Sequence, residues 1–161
     1  MISPRTGERK GEIMPKILLK ALLLLCLFAG SAARASDAGT PDEAKAMALH
    51  AAAFLQDNGP ATAFPVFDAP GGPFHDRDLY VMVYDSSGTN VAHGANKALI
   101  GKNLIDLKDT DGVYVIRGIV AVKTQGWVDY KWPNPLTKKL APKTTYVVRV
   151  GEYLIGVGAY K

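Results

Sequence analysis

The segment Gly126–Tyr146, GWVDYKWPNPLTKKLAPKTTY, constrains the fold more than any other part of the chain. It combines two Trp, two Tyr, three Pro and four Lys. Pro133 and Pro135 would end a preceding strand, because proline has no N–H to donate to a sheet ladder. The β-branched and apolar residues of Leu140–Val150 favour a second strand. The segment therefore predicts an antiparallel hairpin.

The two faces of this predicted hairpin differ in chemistry, because successive side chains along a strand point to opposite sides. One face of the first strand would carry Trp127, Asp129 and Lys131, and the other Val128, Tyr130 and Trp132. In the second strand, Lys143, Thr145 and Val147 would share a face. Aromatic walls with one cationic tip suit a pocket for a small anion. The alternative is that these residues form the ordinary core and rim of a sheet.

The first 35 residues have the pattern of an export leader. Met14–Lys20 is basic, Ala21–Ala29 is apolar, and Ala33–Ala35 fits a small-x-small cleavage rule. We expect cleavage between Ala35 and Ser36, with Met14 as a possible true start. The apolar run is shorter than the roughly 20 residues that a membrane span needs. The predicted organisation is residues 1–35 as an extension plus leader and residues 36–161 as one periplasmic or secreted domain.

The charge of the chain is concentrated in this leader. The whole sequence has a net charge of +4, whereas residues 36–161 carry 13 basic and 13 acidic side chains. A nucleic-acid partner is not expected, since it would require a basic face on the folded domain. Cys26 is the only cysteine and lies in the apolar run, so neither a disulfide nor thiolate chemistry is expected after cleavage.

The remaining segments alternate helical and strand signals. Thr40-Pro41-Asp42-Glu43 is a capping-box start, and Asn58-Gly59-Pro60 ends the apolar-striped helix between them. A short helical turn is possible over Ala61–Phe67. Strands are predicted at Leu79–Tyr84, Thr89–Gly94, Gly126–Trp132, Leu140–Val150 and Tyr153–Tyr160. This order predicts an α+β domain, with a mostly antiparallel five-stranded sheet and helices on one face.

Two segments carry alternative interpretations. Val113–Thr124 is rich in β-branched residues, which favours a strand, yet its apolar spacing also fits a helix. His75-Asp76-Arg77-Asp78 resembles a metal cluster, but neighbours on an extended chain point in opposite directions. We therefore interpret it as a solvated loop and predict neither a metal nor a cofactor. His93 is predicted either as a satisfied histidine at a strand end or as a pocket residue.

Several segments together resemble a known family. DLYVMVYDSSGTNVAHGANKALIGKNLIDLKDTDG, GWVDYKWPNP, APKTTYVVRV and YLIGVGAYK occur in the order seen in the single Cache domain of type 2, sCache_2. The likeness covers roughly Pro41–Lys161. The resemblance implies a PAS-like Cache fold with a long N-terminal helix packed on an antiparallel sheet of about five strands. It also implies a helix over Val113–Lys123.

The resemblance further implies an extracytoplasmic sensor domain with a membrane-distal pocket for a small organic acid, such as a two- or three-carbon carboxylate. We expect Lys143 to supply the charge and Trp127 an apolar wall. Hydrogen bonds would come from Tyr80, His93, Tyr130 and Tyr146. A regular strand turns Tyr146 and Lys143 to opposite faces, so one of the two would lie outside the pocket.

Family members are parts of chemoreceptors and histidine kinases, so the expected partners are a small carboxylate and a membrane kinase or chemoreceptor. The chain ends at Lys161, from which we expect a binding domain that acts without its own output domain. One alternative is a structural partner that docks on a kinase or receptor through a sheet edge. Another is an exported hydrolase that pairs His93 with an acid such as Asp129, although no nucleophile motif accompanies them. We do not expect an enzyme.

Overall fold

The computed structural model describes residues 38–161. The expectations about Met14, Cys26 and the cleavage site before Ser36 lie outside the described residues. Between residues 38 and 161, no helix is long and apolar enough to cross a membrane.

Helix α1, Pro41–Asn58, begins at the predicted capping box. The Thr40 hydroxyl accepts from the Glu43 backbone N–H, and the Glu43 carboxylate accepts from the Thr40 backbone N–H. The backbone hydrogen bond from Thr40 and the contact with Arg77 lower the pKa of Glu43 to about 2. Gly59 then ends the helix with a φ of 72°, a left-handed conformation that glycine adopts without steric cost.

The other elements largely follow the predicted order. Helix α2 at Pro60–Phe67 continues directly from α1, and a 3₁₀ turn occupies Lys97–Leu99. Helix α3 spans Val115–Val120. The strands are β1 His75–Asp76, β2 Leu79–Asp85, β3 Asn90–His93, β4 Gln125–Pro133, β5 Leu140–Val150 and β6 Tyr153–Tyr160.

All strand pairs are antiparallel, and the described strands form one six-stranded sheet. The order is β1-β2-β6-β5-β4, and β3 pairs with β2 off this path. The sheet has one strand more than predicted, because His75–Asp76 folds back on Leu79 and Tyr80. The predicted hairpin is confirmed, since β4 pairs with β5 and Tyr130 lies opposite Lys143.

Each face of the sheet has its own buried cluster. On one face, alanines of α1 allow the helix to lie close to the apolar side chains of β2 and β6. The opposite face carries Met82, Tyr84, Val147 and Leu154, which pack against α3. Burial of apolar surface in both clusters stabilises the fold by about 25 cal/mol per Å².

The ambiguous segment Val113–Thr124 contains helix α3 rather than a strand. Ile116 and Ile119 face the sheet, so burial of a helical stripe outweighs the β-branched composition. The Arg149 guanidinium donates to the carbonyls of Val120 at 2.7 Å and Val122 at 2.9 Å. Arg149 thus satisfies carbonyl groups at the C-terminal end of α3, which lacks a glycine cap.

Candidate functional site

A cleft of about 260 Å³ lies between the β2–β3 hairpin and the tip of the β4–β5 hairpin. Its apolar walls are Ala95, Leu99, Trp132, Pro133 and Pro135. Its polar lining consists of Tyr80, His93, Asn96, Asn134 and Lys138. A mostly apolar cavity with a few convergent polar groups is the usual form of a small-molecule site.

Lys143 is fully buried on β5 and is linked to the cleft through Tyr80, which lines it, whereas Lys143 itself lines a second cavity together with Asp129 and Lys131. Its ammonium donates to the Tyr80 hydroxyl at 2.8 Å and lies 4.1 Å from the centroid of the Tyr80 ring. The ring of Tyr160 is 4.8 Å from the same ammonium. None of the ion pairs found among residues 38–161 involves Lys143. The described protein therefore supplies this buried cation with aromatic faces and a phenol, but with no ion-paired carboxylate.

The neighbouring strand makes room for the Lys143 side chain. Gly158 on β6 lies beside it, and a Cβ at this position would overlap Lys143 Cε and Thr145 Oγ1. Burial lowers the pKa of Lys143 to about 7, while the nearby Asp78 carboxylate acts in the opposite direction. A substantial fraction of this amine is therefore neutral near pH 7 when the cleft holds no anion.

His93 is also buried and presents an unused donor. Its Nδ1 accepts from the Asn96 backbone N–H at 3.0 Å, so the proton of the neutral ring resides on Nε2. Nε2 has no hydrogen-bond partner in the described structure. Burial, and secondarily the charge of Lys143, lower the pKa of His93 to about 3, which keeps the ring neutral at physiological pH.

Phenols complete the polar cluster. The Tyr80 and Tyr160 hydroxyls are 3.4 Å apart, and the Tyr160 hydroxyl donates to the Pro133 carbonyl at 2.8 Å. Tyr130 and Thr145 share a hydrogen bond of 2.7 Å. Burial raises the pKa values of Tyr80 and Tyr130 well above normal, so both remain neutral hydrogen-bonding groups. These phenols can therefore offer hydrogen bonds to an anion without adding negative charge.

Four of the six predicted site residues, Tyr80, His93, Tyr130 and Lys143, gather on this face of the sheet. The other two, Trp127 and Tyr146, lie on the face that carries α1. Their rings are 4.9 Å apart, and the Lys45 ammonium of α1 lies 5.2 Å from the Tyr146 ring centroid. The placement of Trp127 and Tyr146 in the same pocket as Lys143 needs correction, because strand alternation turns them away. A ligand-binding role for the four clustered residues stays a prediction.

The sequence interpretation missed two residues of the cluster. Tyr160 pairs with Lys143 across β5 and β6, but this register depends on long-range strand pairing. The sequence predicts a solvated loop at Asp78, yet this residue is 0% exposed and accepts from the Gly39 backbone N–H at 2.6 Å. The solvated-loop interpretation is therefore wrong for Asp78, because the segment before α1 folds over it.

The catalytic pairing considered for a hydrolase does not form. His93 contacts Asn96 and Tyr80, whereas Asp129 binds the Lys161 ammonium at 3.1 Å. No group of three or more His, Cys, Asp or Glu side chains within residues 38–161 is placed to hold a metal ion.

Comparison with protein families and known proteins gives a consistent result. Residues 33–161 match the family model of single Cache domain 2. Over 90 residues, 53% of this chain, the sequence is 34% identical to the sensor histidine kinase MctS of Rhizobium johnstonii and covers 20% of that protein. It is 32% identical over 91 residues to the methyl-accepting chemotaxis protein McpP of Pseudomonas putida, covering 53% of this chain and 17% of McpP. The chain thus spans about a fifth of the length of these relatives.

Solved structures show the same architecture. A methyl-accepting chemotaxis protein from Vibrio parahaemolyticus superposes with a TM-score of 0.65 at 29% identity, over 74% of this chain and 86% of that chain. A Cache chemosensory domain, described in terms of carboxylic acid recognition, superposes with a TM-score of 0.57 at 23% identity, over 74% of this chain and 86% of that chain. At this lower identity, the likeness establishes the fold alone. The PAS-like Cache fold expected from the resemblance is thereby confirmed.

Proposed function

The chain belongs to the single Cache domain 2 family, and from this premise we propose that it is a sensing domain that binds a small organic acid. A two- or three-carbon carboxylate is the proposed ligand class. The observation that carries the proposal is the buried Lys143 ammonium, which has no ion-paired carboxylate in the described part of the chain.

A buried, unpaired charge is costly for a protein to maintain. A ligand carboxylate would supply the ion-pair partner that Asp78, which acts on Lys143 only at longer range, does not provide. An ammonium–carboxylate hydrogen bond is among the stronger polar contacts. His93 Nε2 would donate a second hydrogen bond that the described protein leaves unmade. Tyr80 lines the cleft and its hydroxyl accepts from Lys143, so the ligand carboxylate would share the ammonium with this hydroxyl.

The energetics are adequate for so small a ligand. Each hydrogen bond that involves a charged group contributes about 1.5–3 kcal/mol. Three such contacts at the upper end of this range would reach the roughly 8 kcal/mol of a micromolar complex, whereas two would give at most about 6 kcal/mol. The upper bound of about 1.5 kcal/mol per non-hydrogen atom allows this affinity for the six-atom acids pyruvate and lactate, at about 9 kcal/mol, but not for four-atom acetate, at about 6 kcal/mol.

The relatives suggest how binding would be used. MctS and McpP are a sensor kinase and a chemotaxis protein, and this chain matches a fifth or less of each. We therefore propose that a kinase or chemoreceptor signalling unit responds to occupancy of the cleft. The leader pattern before Ser36 and the family's sensor role support a periplasmic location for residues 36–161.

A matched ligand series tests the proposal. Acetate, propionate, pyruvate and lactate are titrated by calorimetry and by thermal shift, alongside acetamide and propionamide as neutral analogues of nearly the same shape. We expect at least one acid to bind and the amides to bind far more weakly, because they cannot pair with the ammonium. If no acid binds at millimolar concentration, or if amide and acid bind equally, the carboxylate proposal is rejected.

A further inference from the structure

Asp78 is a second buried charge close to the cleft, and the proposed ligand contacts do not use it. Its carboxylate is fully buried and accepts two hydrogen bonds from distant parts of the chain. Oδ1 accepts from the Gly39 backbone N–H at 2.6 Å, and Oδ2 accepts from Asn134 Nδ2 at 3.4 Å. None of the ion pairs among residues 38–161 includes Asp78. These two donors, together with the charge of the nearby Lys143, offset the burial of the carboxylate.

Asn134 belongs to the wall of the cleft. Its Oδ1 accepts from the backbone N–H groups of Leu136 and Thr137, which fixes the turn at the tip of the β4–β5 hairpin. The carbonyl of the preceding residue, Pro133, accepts from Tyr160. A ligand that contacts this wall would therefore affect Asn134, the residue that donates to Asp78.

Gly39 lies in the backbone that leads into α1. A Cβ at Gly39 would overlap the Leu79 side chain, so this backbone lies directly against the start of β2. Arg77 strengthens the attachment by donating to the Ala38 carbonyl at 3.1 Å and to the Glu43 carboxylate at 2.8 Å. Asp78 thus joins the cleft wall on one side to the start of α1 on the other.

We propose that Asp78 is a positioning residue that couples occupancy of the cleft to the backbone leading into α1. The proposal rests on the proposed function in one respect, that a ligand occupies the cleft. A ligand that shifts the Pro133–Pro135 wall would change the Asn134–Asp78 hydrogen bond and, through the same carboxylate, the hold on the Gly39 amide. The cleft and the backbone before α1 would then both act on the Asp78 carboxylate. A shared element of this kind is the physical requirement for coupling between two sites.

Swapping Asp and Asn between positions 78 and 134 tests this link, because the two side chains have nearly the same shape. In Asp78→Asn, the new Oδ1 still accepts from Gly39, but its NH₂ group faces the NH₂ group of Asn134. In Asn134→Asp, two carboxylates face each other, while the turn contacts to Leu136 and Thr137 are kept. The double exchange restores one hydrogen bond with reversed polarity, because the new amide at position 78 donates to the new carboxylate at position 134. Asp106→Asn, which changes an exposed carboxylate paired with Arg117, serves as the control.

The measurement is hydrogen exchange of the Gly39 amide by NMR in the full chain, with and without pyruvate. In ligand-free protein, we expect Asn134→Asp to accelerate exchange at Gly39 about tenfold, as one lost hydrogen bond would. The double exchange should return the rate to near the wild-type value, and Asp106→Asn should leave it unchanged. Pyruvate should alter the Gly39 rate in wild type and in the double variant, but not in either single variant. Asn134→Ala provides the same comparison if a single exchange fails to fold.

The two proposals fail separately in this experiment. If pyruvate binds but leaves Gly39 exchange unchanged, the coupling proposal is overturned and the carboxylate site stands. Unchanged Gly39 exchange in ligand-free Asn134→Asp or Asn134→Ala also overturns it, whatever binds in the cleft. Absence of binding by every acid, with the variant effects on Gly39 intact, rejects the proposed ligand class and limits the role of Asp78 to anchoring α1.

Discussion

The two faces of the sheet are built from the same strands, yet they differ in how they make room for what covers them. On the α1 face, the small residues belong to the covering helix: Ala44, Ala48 and Ala51 are fully buried against the larger side chains of the sheet. On the cleft face, the small residues belong to the sheet itself. Gly156 lies against Met82, and Gly158 lies against Lys143 and Thr145.

Because of this difference, we expect the α1 face to contribute to stability and the cleft face to ligand binding. A close-packed apolar face stabilises the fold, and its partners have no unmet polar requirement. The cleft face holds a buried ammonium without an ion-paired acid and a His93 nitrogen without a partner, which disfavour the empty state. Substitutions on the cleft face should therefore affect ligand affinity and stability differently, whereas those on the α1 face should affect stability alone.

Among the substitutions on the two faces, Lys143→Met should change acid affinity the most. Loss of a charged hydrogen bond of about 1.5–3 kcal/mol predicts roughly a 10- to 150-fold weaker affinity for the acid that binds wild type. The free energy of unfolding should rise or stay unchanged, because an unpaired buried charge is replaced by an apolar side chain of similar length. Calorimetry and urea unfolding measure the two quantities.

Lys131→Met is the matched control for this substitution. Lys131 lies on the same hairpin, but its ammonium is partly exposed and pairs with Asp111 at 2.8 Å. Its removal should leave acid affinity unchanged and cost at most about 1 kcal/mol of stability. Equal losses of affinity in the two variants would mean that overall charge, and not the buried site, determines binding.

Gly158→Ala tests the space around Lys143. The added methyl group would overlap Lys143 Cε and Thr145 Oγ1, so we expect about 1–3 kcal/mol of destabilisation and weaker acid binding. Gly126→Ala on β4 is the control, because nothing lies within 4 Å of its Cβ position. A Gly158→Ala protein with wild-type stability and affinity would show that the lysine does not occupy this space.

Affinity should also depend on pH in a manner set by Lys143. The pKa of this lysine is lowered to about 7 in the free protein, and a bound carboxylate should raise it. Below pH 7 the ammonium is already charged, so affinity should be nearly constant. Above pH 7, binding requires proton uptake and should weaken by up to about tenfold per pH unit. His93 stays neutral throughout this range, since its pKa is about 3.

The lowered pKa of Lys143 also predicts how the free energy of unfolding depends on pH. Lys143 titrates near 7 when folded and near its ordinary value of 10.5 when unfolded. Between these values the unfolded chain binds the additional proton, so the contribution of Lys143 to the free energy of unfolding should increase as pH rises from about 7 to 10. Urea unfolding of wild type and Lys143→Met across this range isolates the contribution. A pH-independent difference between the two would contradict the lowered pKa.

Local signals made much of the fold predictable from sequence. The capping box at Thr40, the Gly59-Pro60 stop, and Pro133 with Pro135 at the end of β4 each act over a few residues, and the corresponding boundaries agree with the structure to within about one residue. Strand alternation likewise placed Tyr130 with Trp132, and Lys143 with Thr145. Helix α3 was not decided by pattern, because its β-branched residues are helical only through packing on the sheet and contacts with Arg149.

The site was less predictable because its parts meet through long-range pairing. Tyr160 joins Lys143 through the register of β5 with β6, and Asp78 is buried by a segment 39 residues earlier. Neither relation leaves a signal in the adjacent sequence. The predicted site includes Trp127 and Tyr146 for their chemistry, although strand alternation places Tyr146 and Lys143 on opposite faces. Sequence chemistry therefore identified candidate residues, while register determined which of them lie together.

Tyr146→Phe should produce the smallest effect and gives the sharpest test of the difference between faces. Its ring packs between Trp127 and Lys45 on the α1 face, so we expect less than a twofold change in acid affinity. Tyr80→Phe removes a hydroxyl that lines the cleft and contacts Lys143, so it should weaken binding by up to about tenfold, the value of one ordinary hydrogen bond. Calorimetry with one acid on both variants compares the same atom change on opposite faces. If Tyr146→Phe weakens binding as much as Tyr80→Phe, ligand contacts extend to the α1 face, and the division between a stabilising face and a binding face fails.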